Sequence, residues 1–373
     1  MLEQAYLNII FSAFSAFLLV YYSIPSLINI ADIKKLFDTE NERKSHEGRV
    51  PNLAGFAIFG AFVITFCIFG SFKESPIKYI LSALSFVFMI GAKDDIVELT
   101  PYKKFLGQII AAGIVVYLGD IRLTSFYGLF GVTTLPYIVS VLFSIVTVVF
   151  IINAFNLIDG INWLSSGVAL VAMSAFGSWF YLHDYMDYAV MAACVIGTIL
   201  AFMRYNYTPA KIFMGDSGSL SIGLLSAVLA LLFIEESSNL AHSSTAVPFY
   251  VKSGPALAIA ILIIPIFDTL RVFTKRIING KSPFYPDKTH HHHKLLDLGL
   301  THIQASFVLI IANILFIILA FKMQNLRNAV LIPFIFFIAF IASSILYMIK
   351  GTNQNTSNSR ESISEKKVEV EKI

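Results

Sequence analysis

The sequence predicts an all-α polytopic membrane protein with about 10–11 transmembrane helices. Of its 373 residues, 57% are hydrophobic and only 14% are charged, and the mean hydropathy is +0.74. An ordinary soluble domain is about half apolar and about a quarter charged, so this chain has too much apolar surface for one water-soluble core. Backbone groups inside a bilayer must be paired within the chain, which makes helices the expected structure of its long apolar runs.

Eleven apolar runs are candidates for bilayer spans, because crossing takes about 20 residues. The fourth and the eighth are the shortest. The runs cover residues 6–30, 53–70, 77–93, 105–119, 136–152, 164–182, 187–203, 219–234, 253–273, 305–322 and 329–349. We treat residues 1–350 as one transmembrane domain. The polar segment 351–373, rich in Ser, Asn, Glu and Lys, is predicted to be a disordered cytoplasmic tail.

Lys and Arg are distributed unequally between the two sets of loops that these runs define. Cytoplasmic loops of membrane proteins carry an excess of basic residues. With the N-terminus outside, twenty Lys and Arg fall on the cytoplasmic side and five fall outside. This orientation makes the C-terminus cytoplasmic. The small net charge of +3, without a basic patch, argues against a nucleic-acid partner.

Four polar segments stand at the ends of predicted spans, where polar groups are costly in a membrane and usually have a function. They are Lys93-Asp94-Asp95, Asn153 to Gly160, Asn206 to Ser219, and Asp287 to His293. The topology rests on hydropathy and basic residues alone, and it places all four segments on the cytoplasmic side. We therefore expect the four polar segments to form one site at that face.

The carboxylates in these segments fit two interpretations. Asp94 and Asp95 suit a helix cap, and Asp216 suits the N-cap of the eighth span. The same residues suit a magnesium site, because Mg²⁺ is usually held by one or two carboxylates plus substrate phosphates. A helix that begins near Asp216 would also present free N–H groups, which bind phosphate.

The remaining polar groups are equally open to two interpretations. Asn153 and Asn156 suit hydrogen bonds between helices, and Asp159-Gly160 alone is a turn signal. The run His290 to His293 resembles a metal site in composition. However, four adjacent histidines cannot all face one ion, and no Cys or second His cluster supports zinc. Because basic residues lie nearby, we interpret the run as an anion-binding cluster.

Taken together, these residues resemble the polyprenyl-phosphate N-acetylhexosamine-1-phosphate transferase family, which is glycosyltransferase family 4. The resemblance runs from about residue 38 to residue 302. The motifs that carry it are Arg43-Lys-Ser-His46 with Pro51-Asn-Leu-Ala-Gly55, Asp94-Asp95 with Lys104-Phe-Leu-Gly-Gln108, Asn153-Ala-Phe-Asn156-Leu-Ile-Asp159-Gly160, Asn206-Tyr-Thr-Pro209-Ala-Lys-Ile-Phe213-Met-Gly-Asp216-Ser-Gly-Ser, and Ser282-Pro-Phe-Tyr-Pro-Asp287-Lys-Thr-His290-His-His292-His293. The last matches the family's His-x-His-His. Any one motif is weak, whereas all of them in order are specific.

The resemblance implies an enzyme of the bacterial inner membrane. It implies transfer of HexNAc-1-phosphate, with GlcNAc-1-phosphate as the first choice, from a UDP-sugar to polyprenyl (undecaprenyl) phosphate with release of UMP. Such a reaction is the first membrane step of cell-surface glycan synthesis, for example of O-antigen. The implied partners are UDP-HexNAc, the polyprenyl phosphate lipid and the bilayer, with a homodimer as one candidate assembly. The implied cofactor is Mg²⁺, with Mn²⁺ as a substitute.

The resemblance and the clustered carboxylates suggest a role for each residue. We predict that Asp94, Asp95 and Asp159 are catalytic and that Asp216 ligates the metal, with Asp95 as a helper. Asp94 is expected to act as a base or to orient the lipid phosphate, and Lys104 is expected to hold that phosphate. The predicted substrate-binding residues are Asn153, Asn156, Asn206, Phe213, Arg276, His290, His292, His293 and Lys104.

Two positions depart from the family's usual pattern. Asn162 stands where the family often has the second Asp of Asp-Gly-x-Asp-Gly-Leu, and Ala54 replaces the first glycine of a Gly-Gly pair. Asn206 and Phe213 are the residues expected to bond to and stack on uracil. Neither departure removes a predicted catalytic carboxylate, so the departures bear on substrate choice more than on reaction type.

Three alternatives remain open. Within the enzyme class, the runner-up is the phospho-MurNAc-pentapeptide translocase, but the long match over Asp287 to His293 favours the simple-sugar branch. A secondary transporter is a different class, and such proteins tend to place their site near the bilayer midplane between internal repeats. A membrane metal-binding or scaffold protein built around the His run is the third alternative.

Overall fold

The computed structural model describes residues 2–35, 50–242, 250–282 and 289–348. The motif at Arg43 to His46, the predicted site segment around Asp287 and the predicted tail 351–373 lie outside these ranges. Within them the chain is helical and contains no strand. The helices are α1 (Leu2–Lys34), α2 (Ala54–Phe69), α3 (Ile77–Ile96), α4 (Pro101–Gly113), α5 (Tyr137–Ile158), α6 (Leu164–Leu182), α7 (Met186–Asn206), α8 (Gly215–His242), α9 (Gly254–Ile261), α10 (Ile263–Ile278), α11 (His291–Asp297), α12 (His302–Lys322) and α13 (Asn328–Met348).

Seven of these helices are long and apolar enough to cross a membrane, and an eighth span results if α9 and α10 are counted together. The seven are α1, α5, α6, α7, α8, α12 and α13. All eleven predicted runs fall on helices, which confirms the all-α polytopic membrane class. Three predicted runs lie on helices outside these eight spans. Run 53–70 lies on the 16-residue α2, and run 77–93 lies on α3, which has a charged end. Run 105–119 lies on α4 and on the π-helix that follows it, Ile114–Leu118. The count of 10–11 spans and the orientation of the termini stay predictions.

The predicted span 253–273 falls on two helices, because the chain bends by 79° between α9 and α10. Pro265 has no N–H to donate to the carbonyl four residues before it, which is that of Ile261. The side-chain Nδ2 of Asn313 in α12 donates to that carbonyl instead, at 3.0 Å. The bend is thus stabilised by a residue about fifty positions further along the chain.

Helix α8 forms the centre of the bundle. Every residue of its most apolar stretch is buried, and it packs against α2, α3, α5, α6 and α9. A helix that is apolar all round is expected in the interior of a membrane bundle rather than at its edge. The first turn of α8 contains Asp216, so that residue is carried by the most enclosed element of the fold.

Two glycines allow neighbouring helices to approach the start of α8. A Cβ atom added at Gly91 of α3 would lie 2.5 Å from the Cα and N atoms of Ser217, and one at Gly55 of α2 would lie 2.2 Å from its Oγ. Such distances are far inside van der Waals contact. Small residues at these positions therefore set the spacing of α2 and α3 from α8, as they commonly do between membrane helices.

We expect Gly91→Ala to lower the thermal unfolding midpoint of the detergent-purified protein. The added methyl group must push α3 away from the backbone of α8, and overpacking of this kind costs about 1–3 kcal/mol. Gly60→Ala is the matched control, because no atom of the described residues outside its own helix backbone and chain neighbours lies within 4 Å of its Cβ position, and it should leave the midpoint unchanged or raise it slightly. Equal midpoints for Gly91→Ala and wild type would show that the contact is not tight.

Candidate active site

The carboxylate of Asp95 links the end of α3 to the start of α8 through hydrogen bonds. It accepts hydrogen bonds from the backbone N–H of Asp216 at 2.6 Å, from the backbone N–H of Ser217 at 3.0 Å and from Ser217 Oγ at 2.5 Å. The first N–H groups of a helix have no partner within it, so a carboxylate placed there caps the helix. Burial raises the pKa of Asp95 to about 7, against the lowering effect of the Ser217 hydrogen bonds. These contacts give Asp95 a positioning role.

The ammonium group of Lys104 lies between two carboxylates and an amide. Its Nζ forms an ion pair with Asp216, lies 3.3 Å from Asp94 Oδ2 and lies 3.5 Å from Asn156 Oδ1. Burial alone would lower the pKa of Lys104, but the neighbouring carboxylates of Asp216 and Asp94 outweigh it and raise the pKa above its usual value. Lys104 is therefore charged, and three oxygen-bearing side chains converge on one positive charge.

Asp94 is held by the loop that follows α3. Its Oδ1 accepts a hydrogen bond from the backbone N–H of Leu99 at 2.6 Å. Burial, together with the nearby Asp216 carboxyl, raises the pKa of Asp94 to about 6, although Leu99 and Lys104 act in the opposite direction. Asp94 and Asp95 are adjacent in sequence, yet Asp95 bonds to the backbone N–H groups at the start of α8, whereas Asp94 lies beside the Asp216 side chain.

The two asparagines of α5 have different partners. Asn156 Nδ2 donates to Asp216 Oδ1 at 2.7 Å and to Ser219 Oγ at 3.0 Å, so it orients the carboxylate. Asn153 lies about one turn away and pairs with Gln108 of α4, donating to Oε1 at 2.6 Å and accepting from Nε2 at 3.3 Å. Asn153 thus joins α4 to α5, and its predicted contact with substrate stays a prediction.

The loop after α5 meets the His run. Asp159 accepts a hydrogen bond from Ser165 Oγ. Burial raises the pKa of Asp159 to about 7, with Ser165 opposing and the carboxylates of Asp216 and Asp95 adding to the rise. A Cβ at Gly160 would lie 2.6 Å from Nε2 of His292. The second and fourth polar segments are therefore in contact, and the structure brings all four together at one end of the bundle.

The side chain of Asn206 forms hydrogen bonds to the backbone of two loops. It is 4% exposed, its Oδ1 accepts from the backbone N–H of Trp163 at 2.9 Å, and its Nδ2 donates to the carbonyl of Ile212 at 3.0 Å. Its predicted bond to uracil would have to compete with these partners and stays a prediction. Phe213 is half-buried in the same loop, where its backbone N–H donates to the carbonyl of Pro51 at 2.9 Å.

Asn162, the departure from the family pattern, lies beside these loops. It is 2% exposed and its Nδ2 donates to Thr208 Oγ1 at 2.9 Å. Its Oδ1 is buried without a hydrogen-bond partner in the described part of the chain. An amide oxygen in this state is able to accept a hydrogen bond from a ligand.

Three residues of the His run are buried, His293 is half-buried, and the rings lie close together. His290 and His292 are parallel, with centroids 5.6 Å apart, and His292 and His293 are 4.3 Å apart. Arg276 is buried in the last turn of α10. Two polar residues inside α10, Asp268 and Arg271, hold the His run and were missed from the sequence. The available signal was a charged pair three residues apart inside an apolar run, which is rarely without a function.

In the described ranges, no group of three or more His, Cys, Asp or Glu side chains is arranged to hold a metal ion. A site of two carboxylates and an amide oxygen is a different arrangement. Asp94, Asp216 and Asn156 form such a set around the ammonium of Lys104. Hard cations prefer oxygen ligands of this kind.

Asp95→Asn is expected to destabilise the protein, whereas Asp94→Asn is not. An Asn at position 95 keeps one acceptor but turns an NH₂ group toward N–H donors of α8, and an unsatisfied buried group costs about 1–3 kcal/mol. At position 94 the same change retains an acceptor for Leu99 and removes a buried charge. The measurement is the thermal midpoint of both variants in one detergent. If Asp95→Asn matched wild type, the cap would not contribute to stability.

Comparison with known proteins now gives the family. The family model "Glycosyl transferase family 4" matches residues 77–234, from the start of α3 into α8. The chain is 30% identical over 357 residues, 94% of each chain, to the "Probable undecaprenyl-phosphate N-acetylglucosaminyl 1-phosphate transferase" of Bacillus subtilis. It is 32% identical over 279 residues, 70% of this chain and 69% of the relative, to a "Decaprenyl-phosphate N-acetylglucosaminephosphotransferase" of Mycobacterium tuberculosis.

A third relative is the "Undecaprenyl-phosphate alpha-N-acetylglucosaminyl 1-phosphate transferase" of Escherichia coli O157:H7. It is 29% identical over 282 residues, which cover 74% of this chain and 72% of the relative. The similarity to the Bacillus protein extends over nearly the whole of both chains and so reaches beyond the residues matched by the family model. The chain belongs to glycosyl transferase family 4.

Proposed function

We propose that this multi-pass membrane protein transfers GlcNAc-1-phosphate from UDP-GlcNAc to a polyprenyl phosphate and releases UMP. The observation that carries the proposal is the convergence of Asp94, Lys104, Asn156 and Asp216 from four helices at one end of the bundle. The relatives named above support the acceptor and the sugar, since each is called a polyprenyl-phosphate N-acetylglucosamine-1-phosphate transferase. A bacterial cytoplasmic membrane, with the site on the inner face, is part of the proposal.

The proposed reaction exchanges one diphosphate for another. An oxygen of the polyprenyl phosphate forms a bond to the β-phosphorus of the UDP-sugar, and the bond from that phosphorus to the bridging oxygen breaks. UMP leaves with the electron pair. Both reactants are anions, so the barrier depends on bringing like charges together, and positioning and charge neutralisation supply most of the catalysis.

Lys104 is suited to neutralise the lipid phosphate. It lies in the first turns of α4, its charge is maintained by Asp94 and Asp216, and its side chain is 17% exposed. A phosphate that approaches from the membrane boundary would compete with these carboxylates for the ammonium group. A separate base is not required for the attack, because a phosphate monoester is already largely ionised near neutral pH. We therefore assign Asp94 to charge placement ahead of proton abstraction.

The residues present fit a divalent cation such as Mg²⁺, with Mn²⁺ as a substitute. Asp216, Asp94 and the amide oxygen of Asn156 would hold it, because they already face one positive charge, that of Lys104. When bound, such an ion neutralises and orients the diphosphate oxygens. Asp95 contributes by fixing the backbone of Asp216 and Ser217. Two carboxylates suffice, since Mg²⁺ commonly takes its remaining ligands from phosphate and water.

The nucleotide and the sugar are assigned to the loops beside this cluster. The unpaired Oδ1 of Asn162 can accept the N3–H of uracil, and the half-buried ring of Phe213 can stack on the base. Asp159 and His292 meet at the loop that follows α5, where Gly160 contacts the imidazole. We place the diphosphate and the sugar between these two groups of residues.

The purified full-length protein should release UMP from UDP-GlcNAc when undecaprenyl phosphate and Mg²⁺ are present, and EDTA should stop the release. Asp216→Asn should lower kcat by at least about a hundredfold, because removing one preorganised electrostatic group from such a site costs about 10²–10³ in rate. The measurement is UMP formation with time in detergent.

Asp120→Asn is the control, since Asp120 is exposed, binds Arg122 and lies far along the chain from the four polar segments. It should retain full activity. A panel of UDP-sugars that includes UDP-GalNAc tests the choice of donor. Absence of UMP with every donor would contradict the proposal and favour a transporter, and normal turnover by Asp216→Asn would contradict the metal assignment.

A further inference from the structure

A carboxylate outside the proposed reaction site organises the His run. Asp268 of α10 is 2% exposed. It accepts from His290 Nδ1 at 2.8 Å and from the backbone N–H of His291 at 3.1 Å, and its Oδ1 lies 2.7 Å from His291 Nδ1. An ionised carboxylate can only accept, so the His290 imidazole carries its proton on Nδ1 at this contact. One buried side chain therefore fixes two neighbouring rings and the backbone between them.

The charge of Asp268 is balanced by Arg271, one turn further along α10. Arg271 Nη2 donates to Asp268 Oδ1 at 2.8 Å and to the carbonyl of Thr289 at 2.6 Å, and Nη1 donates to Tyr347 Oη at 2.6 Å. Tyr347 Oη also donates to the carbonyl of Thr289 at 2.9 Å. The residue just before the His run is thus held from α10 and α13 together, and the buried carboxylate is paired, as such charges must be.

The ring of His291 contacts two helices, α10 and α13. Its Nδ1 contacts Asp268 on α10, and its Nε2 lies 2.7 Å from Ser343 Oγ on α13. Both ring nitrogens are therefore occupied by the protein. His291 is the variable position of the family's His-x-His-His, and in this chain it carries a ring that bridges two helices.

The consequence appears at the next residue. His290 and His291 are fixed toward Asp268, whereas Nε2 of His292 lies against Gly160. Its Nδ1 is buried without a hydrogen-bond partner in the described residues. Burial lowers the pKa of His292 to about 3, with the neighbouring His293 adding to the effect, so this imidazole is neutral at working pH. A neutral ring acts on a ligand through a directed hydrogen bond, and its orientation therefore matters more than its charge.

We propose that Asp268 and Ser343 are positioning residues that hold the turn from His290 to His291, so that His292 faces the loop of Asp159 and Gly160. The inference rests on the proposed function, because it assigns this loop to the diphosphate and sugar of the UDP-sugar. Neither Asp268 nor Ser343 is proposed to touch substrate. They act through the imidazoles, as outer residues do when they fix the tautomer and orientation of an inner His.

Asp268→Asn tests the link. Asn keeps the size and one acceptor, but its NH₂ group cannot accept the proton of His290 Nδ1, so the ring must change its tautomer or turn away. Misplacement of a binding group by about 1 Å can cost about 10²-fold in rate. We expect kcat/KM for UDP-GlcNAc to fall about ten- to a hundredfold, while KM for undecaprenyl phosphate stays within about twofold. UMP release by the full chain in detergent gives both values.

Two matched variants separate positioning from a general loss of structure. Thr269→Val alters the next residue of α10, which is fully buried and whose hydroxyl has no partner among the described residues, and it should keep kcat/KM within about twofold. Asp268→Glu retains the charge and both acceptors and should recover most of the activity lost in Asp268→Asn. If Asp268→Asn does not fold, Ser343→Ala removes the other anchor and should lower kcat/KM for UDP-GlcNAc at least about threefold.

The outcomes distinguish this inference from the proposed function. If the wild-type protein releases no UMP, the function itself is wrong. If the wild type is active and folded Asp268→Asn remains within twofold of it, or Ser343→Ala does so when Asp268→Asn cannot be purified, the positioning role is wrong. Equal losses for both substrates together with a lowered thermal midpoint would make Asp268 merely structural and would also overturn the inference.

Discussion

The site depends on the capping of α8 by a carboxylate from another helix. Asp95 accepts hydrogen bonds from the N–H groups at the start of α8 that have no partner within the helix. It thereby fixes both the spacing of α3 and α8 and the position of Asp216. Helix starts are normally capped from within the same segment. Here Gly91 permits the close approach, so a contact between distant parts of the chain supplies the cap. The other residues of the site are then arranged around Asp216.

A second consequence is the separation of roles within an adjacent pair of carboxylates. Asp95 has its oxygens directed to α8, while Asp94 faces Lys104 and, with Asp216 and Asn156, surrounds a positive charge. The apolar stretch of helix α8 is buried throughout, so this cluster is carried by an element that cannot shift without disturbing the bundle. Rigid placement is what a reaction between two anions requires, because its catalysis depends on preorganised charge.

Much of this architecture follows from the sequence alone. Long apolar runs predict the helices because a bilayer leaves the backbone few other structures, and the distribution of Lys and Arg predicts that the polar segments share one face. The bend after Ile261 could not be predicted in place, because it depends on Asn313 meeting that carbonyl. Asp268 escaped notice because its partners, His290 and His291, lie more than twenty residues away. Asp95 was expected near a metal, and its partners on α8 are visible only in three dimensions.

The most direct test is Mn²⁺ binding to the purified protein, followed by electron paramagnetic resonance without any turnover. We expect saturable binding by wild type in the presence of UDP-GlcNAc, loss of that binding in Asp216→Asn, and weaker binding in Asp95→Asn, where Asp216 is no longer held in place. Wild-type affinity for Mn²⁺ in a folded Asp216→Asn variant would contradict the claim that the end of α8 carries the cation site.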